Sequence, residues 1–135
     1  MATNLHLSES AVNTEISARA TLLNNGYLKI YDGTQLTDAD GTITTQVNLA
    51  TLRFGATAFG TAVGGVATAN AITSDPSAAH SGTPTWYLTL QSDGITPVSC
   101  GSVGVSGNNL NITTGNITAG TEVTIPSFII AQPKS

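Results

Sequence analysis

The sequence predicts a mainly β fold, a β-sandwich or jelly roll of about seven or eight short strands preceded by one N-terminal helix. Three observations support this prediction. Short apolar or alternating runs recur after Gly26, turns rich in Gly and Asn separate them, and Thr is abundant throughout. Thr is β-branched and suits a pleated surface, whereas Gly and Asn favour turns. No helical period interrupts the run of strands, which argues against alternating strand–helix units.

One helix is expected near the start of the chain, from about residue 9 to residue 23. An apolar stripe with spacings of three and four defines its buried face: Val12, Ile16, Ala20 and Leu23. Ser8 is a suitable N-cap, and Asn24-Asn25-Gly26 tolerates the left-handed conformation that ends many helices. Glu15 and Arg19 are four residues apart, so we expect an ion pair on the outer side of this helix.

The strands are predicted from short runs of apolar and β-branched residues. Their ranges are 27–31, 47–54, 66–73, 85–90, 97–105, 110–117 and 128–131. The clearest is Thr85-Trp86-Tyr87-Leu88-Thr89-Leu90, in which alternation places Trp86, Leu88 and Leu90 on one face. We expect that face to point into the core between the sheets, and residues 34–46 to form a polar loop.

A length of 135 residues corresponds to one domain. We expect an extended N-terminal arm over residues 1–7 and a single β-sandwich domain over residues 8–135, which includes the helix. The arm lacks the basic and long apolar segments of a signal peptide, and no run approaches the roughly 18 apolar residues of a membrane span. Synthesis in a cytoplasm and no membrane partner are therefore expected.

Charge is scarce, because charged residues make up 9% of the chain and its formal net charge is -4. The four basic residues, Arg19, Lys29, Arg53 and Lys134, do not cluster. A nucleic-acid partner is therefore not expected, since phosphate binding needs a basic stripe. A surface with few charges also gives weak electrostatic repulsion between copies. We therefore expect the protein to associate with itself.

The chain shows no constellation typical of catalysis or of a cofactor. His6 and His80 belong to no metal-binding or acid–base motif. Asp38-Ala39-Asp40-Gly41 resembles the opening of a calcium loop, but the Glu that closes such a loop is missing, and an ordinary Asp/Gly turn is the alternative. We predict a protein that is not an enzyme and that has no catalytic residue, no cofactor and no resident metal.

Five residues are candidates for an interface. Tyr27 and Tyr31 lie opposite the inward face of their strand, and Tyr87 lies opposite Trp86, so all three are expected on exposed faces. Exposed tyrosines commonly cover a sheet edge or join subunits, and they also stack on sugars or bases. In the arm, Leu5 and Leu7 alternate as an added strand would require, so they could fill pockets on a neighbouring subunit.

The run from Leu22 to Gln35, LLNNGYLKIYDGTQ, resembles a helix-to-strand segment of small tailed-bacteriophage proteins. Later stretches agree with the same pattern: 50–55, 67–72, 82–87, 92–94 and 101–104. The resemblance covers about residues 8 to 130. These matching motifs are strands and turns, not an active site. The chain departs from the pattern at Leu36, where a Pro is common, and this departure affects only a loop.

The resemblance implies a virion structural protein, and by analogy with other capsid-proximal proteins of this size a capsid cement (decoration) protein. Such a protein binds the outside of the shell, so the implied partners are the major capsid protein and further copies of the chain, with a trimer as the expected homo-oligomer. The implied location is the capsid surface of the virion. The alternative is a tail-fibre or spike module whose aromatic side chains bind host glycan.

Overall fold

The computed structural model describes residues 6–112 and 115–132. Within those ranges one helix and seven strands follow one another: α1 (Glu9–Leu22), β1 (Tyr27–Tyr31), β2 (Asn48–Arg53), β3 (Val66–Thr68), β4 (Trp86–Leu90), β5 (Pro97–Gly104), β6 (Leu110–Asn111) and β7 (Ile129–Ala131). The mainly β class with one N-terminal helix is confirmed. The finer β-sandwich or jelly-roll architecture stays a prediction, as does the division into an arm and one domain.

The strands form two sheets. The larger has five strands in the order β2-β1-β4-β5-β6, and the smaller is a two-stranded ribbon of β3 and β7. Neighbours are antiparallel except β5 and β6, which are parallel. The strand predictions were accurate in position, but β3 and β6 are shorter than the sequence suggested. Their predicted continuations contain single bridges instead, such as Gly82 with Ile117.

The helix begins and ends where its sequence predicts. The Ser8 hydroxyl accepts a hydrogen bond from the Ala11 amide at 3.1 Å, and Asn25 adopts a positive φ of 56° just after the helix. The apolar stripe is buried at Val12, Ile16 and Ala20. The expected ion pair between Glu15 and Arg19 is wrong, because no carboxylate of the described residues pairs with Arg19. Its guanidinium reaches the carbonyl of Ala131 at 3.3 Å instead.

The main core lies on one face of the five-stranded sheet, against α1 and the ribbon. It contains the inward residues of β1, Leu28 and Ile30, together with Tyr87 from β4. A group of four aromatic rings packs there: Phe54, Phe59, Tyr87 and Phe128. Thr89 is also buried on this face, and its hydroxyl pairs with the Ser99 hydroxyl at 2.7 Å, which satisfies both groups.

A second core lies on the opposite face of the same sheet, beneath the loop of residues 32–46, which we call the cover loop. It is built from Tyr31, Trp86, Leu88 and Leu90, with Leu36, Ala39 and Ile43 of the cover loop packed against them. The Trp86 indole N–H donates to the Asp32 carbonyl at 2.9 Å, and its ring stacks on Tyr31 at 4.6 Å. The expectation that Trp86 points between the sheets is therefore wrong, although its burial is correct.

Replacing Trp86 tests this second core. Trp86 is 0% exposed, so Trp86→Ala should lower the free energy of unfolding by about 3–5 kcal/mol. Trp86→Phe keeps an aromatic ring on Tyr31 but removes the hydrogen bond to Asp32, so its loss should be clearly smaller. Urea unfolding of the three proteins measures both values. Equal midpoints for wild type and Trp86→Ala would show that the cover loop does not bury this side chain.

Candidate functional site

A groove with a volume of about 600 Å³ lies between the two sheets. One wall is β5 at Ser99 and Cys100, and the other is the segment from Pro126 to Ala131, which includes β7. Arg19 and Tyr87 also line it, as do Asn108 and Asn109 of the β5–β6 connection and Asn111 of β6. A volume of this size falls within the range of about 300–1,000 Å³ that is typical of ligand sites.

Both walls present free strand edges to the groove. The Val103 amide donates to the Thr85 carbonyl, so the hydrogen-bonded pairs of β4 and β5 are Tyr87 with Gly101 and Thr89 with Ser99. Between those pairs, the register leaves the backbone N–H and C=O of Cys100 pointing away from β4. Parallel pairing of β5 with β6 begins only at Val103, so within the described chain no strand covers Cys100.

The β7 wall follows the same alternation. The Ala69 amide donates to Phe128 and the Gln132 amide to Gly65, which identifies the residues of β7 that pair with β3. Ile129 and Ala131 lie between those pairs, so their backbone groups point away from β3 and toward the groove. The Ala131 carbonyl accepts the bond from Arg19 on this edge.

The floor of the groove exists because Gly101 has no side chain. A Cβ at that position would lie 2.7 Å from Cε2 of Tyr87, which is closer than carbon atoms can approach. The Tyr87 ring therefore lies directly over the backbone of β5 and meets Phe128 edge-on at 5.3 Å. Burial is the main cause that raises the pKa of Tyr87, to about 12. The hydroxyl therefore stays protonated near neutral pH.

Arg19 brings positive charge to one end of the groove. One Nη of its guanidinium is bonded to Ala131, but its Nε is buried without a hydrogen-bond partner. A buried donor without a partner costs about 1–3 kcal/mol. No carboxylate of residues 6–112 and 115–132 neutralises the guanidinium. The groove thus combines free backbone edges and apolar side chains with a cation that no carboxylate of the described residues pairs with.

Among the described residues, the predicted interface candidates occupy different environments. Leu5 falls outside the described residues, and Leu7 is half-buried next to α1. The expected exposure is wrong for Tyr31 and Tyr87, which are 5% and 6% exposed. Tyr31 belongs to the second core, and Tyr87 forms the floor of the groove. Tyr27 is half-buried, and the Arg53 guanidinium lies 4.0 Å from the centre of its ring.

The acidic loop and His80 show ordinary local bonding. The Asp38 carboxylate accepts a hydrogen bond from the Asp40 amide at 2.9 Å, which is the geometry of an Asx turn. A ring nitrogen of His80 lies 3.1 Å from the Asn48 carbonyl. Among the described residues, no group of three or more His, Cys, Asp or Glu side chains could hold a metal ion.

The sequence did not predict the groove or the two residues that define it, Arg19 and Gly101. Arg19 was assigned to a surface ion pair, because helical spacing alone does not show that β7 passes the end of α1. Gly101 sits within a strand, and an isolated strand glycine often marks a close approach of another group. That signal identifies a tight contact, but it does not reveal that the contact is with Tyr87.

Comparison with protein-family models, with curated proteins and with solved structures finds no match to this chain. Among the described residues, no helix has both the length and the apolar composition that a membrane span requires.

The raised pKa of Tyr87 predicts a loss of stability at high pH. The ordinary value is 10.0 and the folded value about 12, so between these pH values the unfolded chain loses this proton first. Stability from this group is complete below pH 10 and decreases as pH rises toward 12, by as much as about 2–3 kcal/mol. Urea unfolding at several alkaline pH values should show a shallower decrease for Tyr87→Phe than for wild type. Parallel curves would contradict this assignment.

Proposed function

We propose that the chain is a structural protein of a phage virion, a capsid cement protein that binds the outside of the shell. The observation that supports this proposal best is an exposed apolar surface on the β3–β7 ribbon. The resemblance of residues 22–35 to small tailed-phage proteins supports the virion setting. The partners in this proposal are the major capsid protein and further copies of the chain, which form a trimer.

The outer face of the ribbon, together with the turn that leads into β3, carries three exposed apolar side chains. Val63 is 71% exposed, Ile129 is 50% exposed and Val66 is 37% exposed. Val63 and Val66 face each other across the tight turn at Gly64 and Gly65, and their backbones exchange hydrogen bonds of 2.9 and 3.1 Å. Because Ala67 and Ile130 are buried in the main core, alternation places Val66 and Ile129 together on the solvent side. We call Val63, Val66 and Ile129 the ribbon patch.

A patch of this kind suits attachment to a protein shell. Burying apolar side chains stabilises a complex by roughly 25 cal/mol per Å² of apolar area. Clustered exposed apolar residues are typical of interaction sites, whereas scattered single ones are common on any protein. The sparse charge of the chain fits the same use, since interface centres are depleted of charged residues.

The glycan-binding alternative has less structural support. It requires exposed aromatic faces on which sugars stack, but Tyr31 and Tyr87 are buried and the Tyr27 ring is occupied by Arg53. No exposed row of the three tyrosines therefore exists. A tail-fibre module would also be present in few copies per particle, whereas a cement protein is present in hundreds. Quantitative gel analysis of purified particles separates these functions, and a count of a few copies would overturn the cement proposal.

Polar substitution of the ribbon patch should weaken capsid binding without unfolding the chain. Val63→Asn with Ile129→Asn removes two exposed apolar side chains, so the amount bound to undecorated particles at limiting concentration should decrease roughly 10-fold or more. Ile95→Asn is the matched control, because Ile95 is 79% exposed but lies in the turn before β5. Co-sedimentation measures the bound copies. Equal binding by the double variant and the control would exclude the ribbon patch as the contact.

A further inference from the structure

We propose that the groove between β5 and β7 accepts an extended peptide segment of a partner, which adds as a strand and places a carboxylate on Arg19. This inference goes beyond the cement proposal and does not depend on it. The occupant is an extended, carboxylate-bearing segment of a different protein.

The backbone groups of the groove walls are arranged to hydrogen-bond to an added strand. Cys100 on one side and Ile129 and Ala131 on the other direct backbone donors and acceptors into the same space. Exposed strand edges bind extended peptides through main-chain hydrogen bonds, and pockets for alternate side chains add specificity. A segment in the groove can bond to both edges, so it would join the five-stranded sheet to the ribbon.

The positive charge of Arg19 favours a bound segment that carries a negative charge. Arg19 has a buried Nε without a hydrogen-bond partner, and no carboxylate of the described residues forms an ion pair with its guanidinium. A guanidinium binds a carboxylate through two parallel hydrogen bonds, a geometry that neutral groups reproduce poorly. The inserted segment should therefore carry an aspartate, a glutamate or a free C-terminal carboxylate where it reaches the end of the groove at Ala131. Its apolar side chains would pack on Phe128 and Ile130, which line the same space.

The geometry of the floor limits what can enter. The Tyr87 ring covers Gly101 closely, so an aromatic face forms this part of the floor. Tyr87 and the asparagines of the β5–β6 connection add hydrogen-bonding groups along the walls. An extended chain with small or β-branched side chains fits this floor better than a helix, whose diameter is about 10–12 Å.

A synthetic peptide tests the proposal on the purified full chain. The probe is a hexapeptide of alternating threonine and valine with one aspartate, acetylated at its N-terminus and amidated at its C-terminus, made in two versions with the aspartate first or last. Amide hydrogen exchange by NMR should show new protection at Cys100, Ile129 and Ala131 with one version. The amides of Gly101 and Ile130 already lie in ladders, so their exchange should change little. No protection at saturating peptide would overturn the proposal.

Matched variants and peptides separate the two parts of the proposal. Arg19→Gln should weaken binding about 10-fold to 100-fold, because a hydrogen bond to a charged group is lost. Arg53→Gln, which lies outside the groove, should bind as wild type does. A peptide N-methylated at alternate residues should lose at least about 10-fold in affinity, since its backbone donors are removed. Equal binding of the methylated peptide, or equal binding by Arg19→Gln, would contradict strand addition with a carboxylate on Arg19.

Self-association gives a further distinguishable outcome. Protection of Cys100, Ile129 and Ala131 that grows with protein concentration in the absence of peptide would show that a second copy occupies the groove, and it would overturn the assignment to a partner segment. Protection that is independent of protein concentration and requires the peptide supports the proposal.

Discussion

The structure depends on the burial of β4 on both faces. Each of its five residues, Trp86 to Leu90, is buried, although alternate side chains point in opposite directions. A strand with one solvent-exposed face needs a single core, whereas a strand with no solvent-exposed face needs other residues packed on both sides. The main core with α1 and the ribbon covers Tyr87 and Thr89, and the cover loop covers Trp86, Leu88 and Leu90.

The cover loop is held in place by polar contacts at its ends. The Asp32 carboxylate accepts a hydrogen bond from the Val47 amide at 2.6 Å, which closes the loop at its base. The Gln46 side-chain amide donates to the Thr34 carbonyl at 2.6 Å, and the Thr85 hydroxyl donates to Gly33. These bonds satisfy backbone groups that would otherwise lie near an apolar surface. A segment without regular structure can therefore serve as one wall of a core.

Local pattern predicted much of the fold, because helices and strands follow from short-range periodicity. The stripe of α1, its Ser8 cap and the left-handed Asn25 are local properties, and so is the position of each strand. The faces of β4 could not be assigned in this way. Its alternation separates Trp86 from Tyr87, but only tertiary contacts determine that both faces are buried. The sequence of the cover loop predicts a polar loop, because Leu36, Ala39 and Ile43 are isolated apolar residues.

The candidate groove could not be predicted from the sequence, because backbone groups form much of its walls. The backbone groups of Cys100, Ile129 and Ala131 that point into the groove depend on strand register and not on side-chain type. Arg19 joins them only because α1 ends beside β7. Strand β7 contributes to both surfaces. Its free edge borders the groove, and its outer face carries part of the ribbon patch. A single short strand thus contributes to both proposed contacts.

Native-state hydrogen exchange of β4 tests the two-sided burial most directly. If both faces are covered, the amides of Leu88 and Thr89 should exchange only through global unfolding, with the same free energy and denaturant dependence as urea unfolding of the whole chain. Amides of the cover loop around Thr44 should exchange through smaller openings. Exchange of Leu88 and Thr89 at a free energy well below that of global unfolding would contradict the account, because it would show that β4 opens to solvent without loss of the main core.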